Sequence, residues 1–302
     1  MHWPSDHPAV IDPELAHWAP GVDELCADGV VQQVLRHLPG RRVATLVATS
    51  NGPKVVKVFA SPRARGNARR LAMLSDGPAA HLLPLNDGAD AAGHVSMTQY
   101  VPGVVFDQLD DNAFVARAEQ VGAGLALLHS GSMVLDRCWT VEREIEQLMR
   151  RATAATADRA DAIAEACAHL AEEPLVTAHR DCHPRQVVFD DERMWWIDLD
   201  DLCMAPAALD VGNMIAHLRR DGALGRRDIH ITERAVDAFI SGYGPVTGDV
   251  EAWECLALVR LAALAESRHS SMSDRDRVLE ILAQRELTWR SMRGRPKTGA
   301  AR

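Results

Sequence analysis

The segment from residue 179 to residue 201, HRDCHPRQVVFDDERMWWIDLDD, constrains the fold more than any other part of the chain. It combines six aspartates with two apolar runs, QVVF and MWWIDL, which are separated by the turn-like DDER. Short runs of β-branched and aromatic residues between turn residues are typical of strands. The segment therefore predicts a β-hairpin with carboxylates fixed at the ends of its strands, an arrangement that a solvated loop does not need.

Three oxygen-bearing side chains fall at these strand ends. Asp181 precedes the first strand, Gln186 opens it, and Asp198 closes the second. Since the ends of paired strands lie side by side, Gln186 and Asp198 are expected to converge on one hard cation, and Mg²⁺ prefers such oxygen ligands together with substrate phosphates. Asp181, outside the metal shell, is then free to orient a hydroxyl group and accept its proton. The pattern predicts phosphoryl transfer, which depends on this kind of positioning.

The region from residue 30 to residue 60 predicts three short antiparallel strands. The runs VVQQVL, RRVATLVAT and KVVKVF are separated by Pro39-Gly40 and by SNGP, which are turn signals. In the third run, alternation places Lys57 on the same face as Val55 and Phe59. A lysine on an otherwise apolar face is a candidate for neutralising phosphate charge.

The remainder of the chain is predicted to be mainly helical. A further strand in HVSMTQYVPG ends at Pro102-Gly103, which we interpret as a hinge. Helices are predicted at 65–74, 114–130, 141–153, 158–171, 207–220, 231–241, 249–267 and 273–291. The expected fold class is α+β, with a small antiparallel β-rich lobe within residues 1–102, a large helical lobe at 103–291, and a disordered tail at 292–302.

Charge is distributed unevenly along the sequence. Residues 30–75 contain nine Lys and Arg and no acidic residue, so the rest of the chain carries −18 within a total of −9. This asymmetry suggests an anionic ligand at the basic segment and a cationic one elsewhere, or simply attraction between the two regions. The acidic residues of the helical part favour a cationic acceptor.

The composition also bears on location and partners. No stretch approaches the roughly 20 apolar residues of a membrane span, and the first residues lack the pattern of a signal peptide. The six cysteines are scattered without a C-x-x-C pair, which favours reduced thiols. We therefore expect a cytoplasmic protein with no membrane or nucleic-acid partner.

The motif H-R-D-x-x-x-x-Q, followed twelve residues later by I-D-L-D, resembles the catalytic and metal loops of the aminoglycoside phosphotransferase and choline-kinase-like family. The resemblance implies a bilobal protein-kinase-like fold and a kinase that uses ATP or GTP with Mg²⁺. It assigns the catalytic base to Asp181 and the metal ligands to Gln186 and Asp198. Lys57 in VVKVF is similar to the lysine that contacts the nucleotide phosphates.

Other segments extend the resemblance over roughly residues 30–290. MTQYVPG looks like the hinge, with backbone groups of Gln99, Tyr100 and Val101 offered to the nucleotide base. ALDVGNM at 208–214 resembles the segment after the metal loop, in which Asp210 is expected to fix the catalytic loop. LALLHS at 125–130 is similar to the helix beneath that loop.

Three departures from the family pattern stand out. The helix after Lys57 has no acidic residue, whereas family members pair this lysine with a glutamate. The glycine-rich phosphate loop is reduced to HLPGRR, so Arg41 or Arg42 is expected to help bind phosphate. Gln186 replaces the usual asparagine and lengthens the reach of the amide by one methylene.

The expected activity is transfer of the γ-phosphate of ATP or GTP to a hydroxyl of an amino sugar, an aminoglycoside or a related small alcohol. Two alternatives remain open at this point. The missing glutamate would suit a pseudokinase that binds nucleotide without turnover. Asp198-Leu199-Asp200 is a D-x-D, which would suit a metal-dependent glycosyltransferase if an α/β nucleotide-binding domain preceded it.

Overall fold

The computed structural model describes residues 1, 3–153, 156–191, 193–267 and 272–293. Its helices are α1 (Pro8–Ile11), α2 (Pro13–Ala16), α3 (Ala64–Met73), α4 (Asp111–His129), α5 (Val141–Arg151), α6 (Ala157–Ala166), α7 (Ala207–Ala223), α8 (Ile229–Tyr243), α9 (Val250–Ser267) and α10 (Met272–Arg293). Its strands are β1 (Val30–Leu38), β2 (Arg42–Thr49), β3 (Gly52–Phe59), β4 (Asn86–Ala89), β5 (Val95–Gln99), β6 (Val104–Val105), β7 (Leu175–Ala178), β8 (Val187–Asp190), β9 (Arg193–Trp196) and β10 (Cys203–Pro206).

The chain forms two compact units whose bounds differ from the expected division at residue 102. The first unit contains residues 1–104, 131–136 and 187–202, and the second contains 105–130, 137–186 and the described residues from 203 onward. The β8–β9 hairpin, which we expected in the helical lobe, thus belongs to the first unit. Ion pairs from Lys57 to Asp198 and hydrogen bonds from Arg193 to the His81 carbonyl hold it there.

The first unit is built on a five-stranded sheet in the order β1-β2-β3-β5-β4, and the pairs between neighbouring strands are antiparallel. The predicted three-strand meander is therefore confirmed. Alternating valines of the sheet, with Val56 and Val58 among them, form a core with apolar residues of the N-terminal segment. Lys57 points to the other face, between Ala44 of β2 and Ser96 of β5.

The second unit is mainly helical. Helix α9 is central to its core and packs against α5, α6, α7 and α10, while α4 packs against α8. Two short strands, β7 and β10, pair antiparallel beside α7. The pairing of β7 with β10 fixes the position of the end of β7. The residues that follow β7 are His179, Arg180 and Asp181.

Two smaller expectations need correction. Gln186 does not open strand β8, because it ends a 3₁₀ turn at Pro184–Gln186 and the strand begins at Val187. Residues 292 and 293, assigned to a disordered tail, are the last residues of α10, whereas residues 294–302 lie outside the described part of the chain.

Among the described residues, no helix is both long and apolar enough to cross a membrane. The six cysteines are free thiols, and all but Cys138 are buried.

Candidate active site

Four charged side chains of the first unit form a closed ring of alternating sign, which we call the charge tetrad: Lys57, Arg42, Asp198 and Asp200. Lys57 Nζ lies 2.7 Å from Asp198 Oδ1 and 2.9 Å from Asp200 Oδ2. Arg42 donates to Asp198 Oδ2 at 3.1 Å and to Asp200 Oδ2 at 2.6 Å. Each cation therefore contacts both carboxylates, and each carboxylate contacts both cations.

The local backbone explains how two carboxylates reach the same pair of cations. Asp198 adopts a left-handed conformation with φ 53° and ψ 51°, and a 3₁₀ turn at Leu199–Asp201 follows it directly. A left-handed conformation is uncommon in residues other than glycine and clusters at functional sites. The sharp turn ends the hairpin strand and places Asp198 and Asp200 opposite Lys57.

Burial and charge act against each other in the tetrad. Burial alone would raise the pKa of Asp198, but Lys57 and Arg42 lower it well below its usual range. Burial alone would lower the pKa of Lys57, but the charges of Asp198 and Asp200 have the larger effect, so the pKa of the lysine is raised. Asp198 is therefore ionised at neutral pH, and its carboxylate oxygens can serve as metal ligands.

The pKa of Asp200 shifts the other way. Burial raises it, and the negative charge of Asp198 adds to the effect, although Lys57 and Arg42 oppose both. The two aspartates of the charge tetrad thus differ in the direction of their pKa shifts, which is downward for Asp198 and upward for Asp200.

The basic segment noted in the sequence is largely paired within the first unit. Beyond the tetrad, Arg63 binds Asp201 at 2.9 Å and Lys54 binds Asp87 at 2.9 Å. Arg70 reaches Asp136 at 3.2 Å. Attraction between basic and acidic regions, which we left open from the sequence, therefore accounts for several of these charges.

The predicted hinge residues follow or end β5. The N–H of Gln99 donates to the Leu85 carbonyl at 2.8 Å, and the N–H of Tyr100 donates to the Pro53 carbonyl at 3.1 Å. Of the backbone groups that we expected to be offered to a nucleotide base, the N–H groups of Gln99 and Tyr100 are thus already bonded. Among the described residues no partner is found for the N–H of Val101.

The catalytic loop lies in the second unit and is held by Asp210, in the first turn of α7. The Asp210 carboxylate accepts hydrogen bonds from the backbone N–H groups of His179 and Arg180, at 2.6 and 2.8 Å. His129, at the end of α4, contacts the same carboxylate at 3.1 Å and the Tyr243 hydroxyl at 2.8 Å. The predicted role of Asp210 in fixing this loop has a clear geometric basis.

A second contact supports the loop from the same helix. Asn213, three residues after Asp210 on α7, donates to the Cys182 carbonyl at 2.7 Å. Arg180 has φ 69°, a conformation that turns the chain sharply just before Asp181. Asp181 itself is 43% exposed, so its carboxylate can reach a ligand.

Gln186 lies beside His183 at the end of the same loop. Its amide is 3.3 Å from His183 Nε2, and His183 Nε2 is 3.7 Å from the Asp181 carboxylate. The His183 ring stacks on His217 with centroids 4.6 Å apart. Burial, together with His183 and nearby arginines, lowers the pKa of His217 well below its usual range, so this histidine is neutral.

A cavity of about 160 Å³ adjoins the catalytic loop within the second unit. Its lining combines loop residues with residues from α4, α7, α8 and the α7–α8 connection: Asp107, Phe114, Pro184, Arg185, Leu218, Asp221, Arg226, Arg227 and Thr232. Arg185 is paired with Asp107 at 2.8 Å and Arg226 with Asp221 at 2.9 Å. Charges of both signs therefore surround the space, and no single sign dominates it.

Two side chains, one in each unit, have the ligand chemistry of a hard cation. Asp198 of the first unit supplies an ionised carboxylate and Gln186 of the second unit an amide oxygen, which are ligand types of Mg²⁺. Among the described residues, no group of three His, Cys, Asp or Glu side chains is arranged to hold a metal by itself. Each of the two side chains therefore fits a hard cation by its own chemistry.

Sequence reasoning missed several supporting residues. Tyr243 comes from a distant helix, and no local pattern links it to the catalytic loop. His129 lies in LALLHS, which resembles the helix beneath that loop, but its contact with Asp210 was not predicted. Asn213 carried a usable signal, since positions three apart on a helix share a face. The D-x-D alternative lacks its fold, because the described N-terminal part of the chain is built on a five-stranded antiparallel sheet and not on an α/β domain.

Comparison with known proteins gives consistent results. The model of a phosphotransferase enzyme family matches residues 40–259. A comparison with curated protein sequences gave no match.

Several solved structures are similar in fold. A choline kinase from Streptococcus pneumoniae has 15% identity and a TM-score of 0.66, with 89% of this chain and 99% of that chain covered. A glucosamine kinase has 18% identity and a TM-score of 0.59, with 89% and 84% covered. A choline kinase from Cryptosporidium parvum has 10% identity and a TM-score of 0.62, with 88% and 91% covered. These likenesses confirm the predicted kinase-like fold.

Proposed function

Since the chain belongs to the phosphotransferase enzyme family, we propose that it is a magnesium-dependent small-molecule kinase. It transfers the γ-phosphate of ATP or GTP to a hydroxyl of an amino sugar, an aminoglycoside or a related small alcohol. The observation that carries this proposal is the half-exposed Asp181 on a loop that Asp210 clamps by two backbone hydrogen bonds. A general base needs both that accessibility and that rigidity.

Each residue has a role in the transfer. Asp181 orients the acceptor hydroxyl and accepts its proton as the oxygen attacks the γ-phosphorus. The bond between the γ-phosphorus and its bridging oxygen breaks, which leaves a nucleoside diphosphate and a phosphoester. Lys57 and Arg42 bind phosphate oxygens, and Gln186 and Asp198 would hold the cation, which would neutralise charge on the phosphates.

The nucleotide base is expected at the hinge. Gln99 and Tyr100 donate their N–H groups to Leu85 and Pro53, so among the described residues the N–H of Val101 is the donor of the three that is left for the base. This N–H group would donate to the edge of a purine. Phosphate transfer from labelled ATP, compared with transfer from labelled GTP, measures the preference between adenine and guanine.

The acceptor is proposed to bind in the cavity beside Pro184 and Arg185. Its lining has three arginines and two aspartates, so the cavity itself does not select for a cation. Support for an amine-bearing acceptor comes from the similar structures, whose names include choline kinase and glucosamine kinase. The cationic character of the acceptor stays a prediction, as does a cytoplasmic location, where nucleoside triphosphates are plentiful.

A pseudokinase would be favoured by a lysine without a carboxylate partner. Lys57 has two such partners, Asp198 and Asp200, so the missing glutamate of α3 no longer argues against catalysis.

The proposal is tested by an acceptor screen with labelled ATP and GTP in the presence of Mg²⁺. Matched acceptors separate charge from shape: glucosamine against glucose and N-acetylglucosamine, choline against a neutral alcohol of the same size, and one aminoglycoside. Asp181→Asn is the control. We expect at least one acceptor to be phosphorylated by the wild type and a loss of about 10²-fold or more in the variant. If wild type and variant are equally inactive on every acceptor while both bind nucleotide, the chain is a pseudokinase.

A further inference from the structure

Helix α3 places no carboxylate near Lys57. Its sequence, ARGNARRLAM, contains three arginines and no acidic residue. A buried lysine needs a partner, because an unpaired charge away from water is costly. The second partner of Lys57, after Asp198, comes from elsewhere in the chain.

Asp200 supplies it from the 3₁₀ turn after the hairpin. Its Oδ2 atom lies 2.9 Å from Lys57 Nζ and 2.6 Å from an Arg42 nitrogen. One carboxylate oxygen thus fixes both cations at once. The same turn contacts α3, so Asp200 occupies a place in the first unit next to the helix that lacks the acid.

Exposure separates the two aspartates of the tetrad. The Asp200 side chain is 11% exposed and the Asp198 side chain is 24% exposed. The more open Asp198 is the better placed of the two to bind a ligand, and the enclosed Asp200 is the better placed to hold its neighbours. A buried carboxylate between two cations is rigid, since any rotation would leave a charge unpaired.

We propose that Asp200 is a positioning residue that holds Lys57, together with Arg42, for binding nucleotide phosphate, the function that an acidic residue of α3 would otherwise serve. The inference rests on the proposed function, because it assigns the phosphate-binding role to Lys57. The two aspartates of the D-x-D therefore have different roles. Asp198 binds the ligand, and Asp200 positions Lys57.

The test measures nucleotide affinity without metal, so that it does not depend on turnover. A fluorescent ADP analogue is titrated in EDTA into the wild type, Asp200→Asn, Lys57→Met and the double variant. Each single substitution should weaken binding about tenfold, because phosphate loses a positioned cation. The double variant should bind the ADP analogue no more than about threefold more weakly than Lys57→Met does. The reason is that Asp200 acts through Lys57, and Arg42 keeps its bond to Asp198.

Two further variants control the result. Asp201→Asn, one residue along, removes a carboxylate that pairs with Arg63 instead, and should leave the affinity within about twofold of wild type. Asp200→Glu keeps the charge and should recover most of the lost affinity. If Asp200→Asn alone does not fold, the charge-balanced double variant is compared directly with Lys57→Met, and the two affinities should again differ by no more than about threefold.

Two results would overturn the inference. Full additivity of the two substitutions would show that Asp200 acts independently of Lys57. An effect of Asp200→Asn that is absent in EDTA and present only with Mg²⁺ would make Asp200 a metal ligand. A wild type that neither binds the ADP analogue nor transfers phosphate would instead refute the proposed function.

Discussion

Asp198 and Asp200 show how residues of one type, two positions apart, acquire opposite properties. The pKa of Asp198 is lowered by Lys57 and Arg42 despite burial, and the pKa of Asp200 is raised by burial despite the same two cations. From the sequence, the position at a strand end and the family resemblance predicted Asp198 as a metal ligand, and Asp200 entered only as part of the alternative D-x-D. Asp198 also has a left-handed conformation, which is uncommon in residues other than glycine and was not predicted from the sequence.

Asp210 is the residue on which the geometry of the catalytic loop depends most. It is fully buried and accepts hydrogen bonds from His179 and Arg180 while facing His129. Asp210→Asn should lower the free energy of unfolding by about 2–4 kcal/mol, because buried donors lose a carboxylate acceptor. It should also lower kcat strongly, since the loop that carries Asp181 loses its clamp. Thermal unfolding and the transfer rate, measured together, check both effects.

A variant that loses stability elsewhere serves as the control for Asp210. Asp110 caps the start of α4 through the N–H groups of Asn112 and Ala113, and Asp110→Ala should cost about 1 kcal/mol. Its kcat should be unchanged. If kcat falls in proportion to stability in both variants, Asp210 contributes to folding alone and has no specific role in the loop.

At the scale of elements, the crossing of α4 and α8 is set by two glycines. A Cβ atom on Gly122 would lie 2.0 Å from the Phe239 carbonyl oxygen, and one on Gly242 would lie 1.9 Å from the Glu119 carbonyl oxygen. Because both obstacles are backbone, neither can rotate away. The close approach brings Tyr243 of α8 to His129 of α4 and so supports the catalytic loop.

Gly122→Ala should therefore destabilise the protein by about 3 kcal/mol, at the upper end of the usual cost of overpacking. Gly66→Ala on α3 is the matched control, because the nearest atoms to its new Cβ belong to the end of the Arg70 side chain, at 3.3 Å, and not to backbone. In that helix, alanine in place of glycine should change the free energy of unfolding by less than about 1 kcal/mol, since the gain in helix propensity offsets a small shift of Arg70. Chemical denaturation measures both, and equal effects would contradict the close-packing account of the crossing.

The elements that sequence could predict were those with a strong periodic or alternating pattern. The strands around Lys57 and the long helices were predicted close to their observed bounds. Strand β4, with the sequence NDGA, was missed because its residues favour turns, and it is held by pairing with β5 and by contacts with Lys54 and α3. Gln186 was assigned to a strand because its apolar neighbours continue into β8, whereas the proline at 184 favours the turn that is observed.

At the scale of the whole molecule, the organisation into two units follows contacts that sequence order hides. The β8–β9 hairpin lies late in the chain but belongs to the first unit, since the acids that follow it pair with Arg42, Lys57 and Arg63. The charge asymmetry of the sequence indicated this attraction only as one alternative. It could not identify the partners, because ion pairs depend on which faces the sheet presents.

The central claim is that Asp181 acts in the transfer step and Asp198 in binding the cation. Two quantities are measured on the same preparations of wild type, Asp181→Asn and Asp198→Asn. One is the affinity for nucleotide at increasing Mg²⁺ concentration, and the other is the rate of phosphate transfer to the best acceptor of the screen. Asp181→Asn should keep the Mg²⁺-dependent affinity of the wild type and lose transfer by about 10²-fold or more. Asp198→Asn should lose the dependence on Mg²⁺ as well as transfer. Transfer by Asp181→Asn at the wild-type rate would contradict the account.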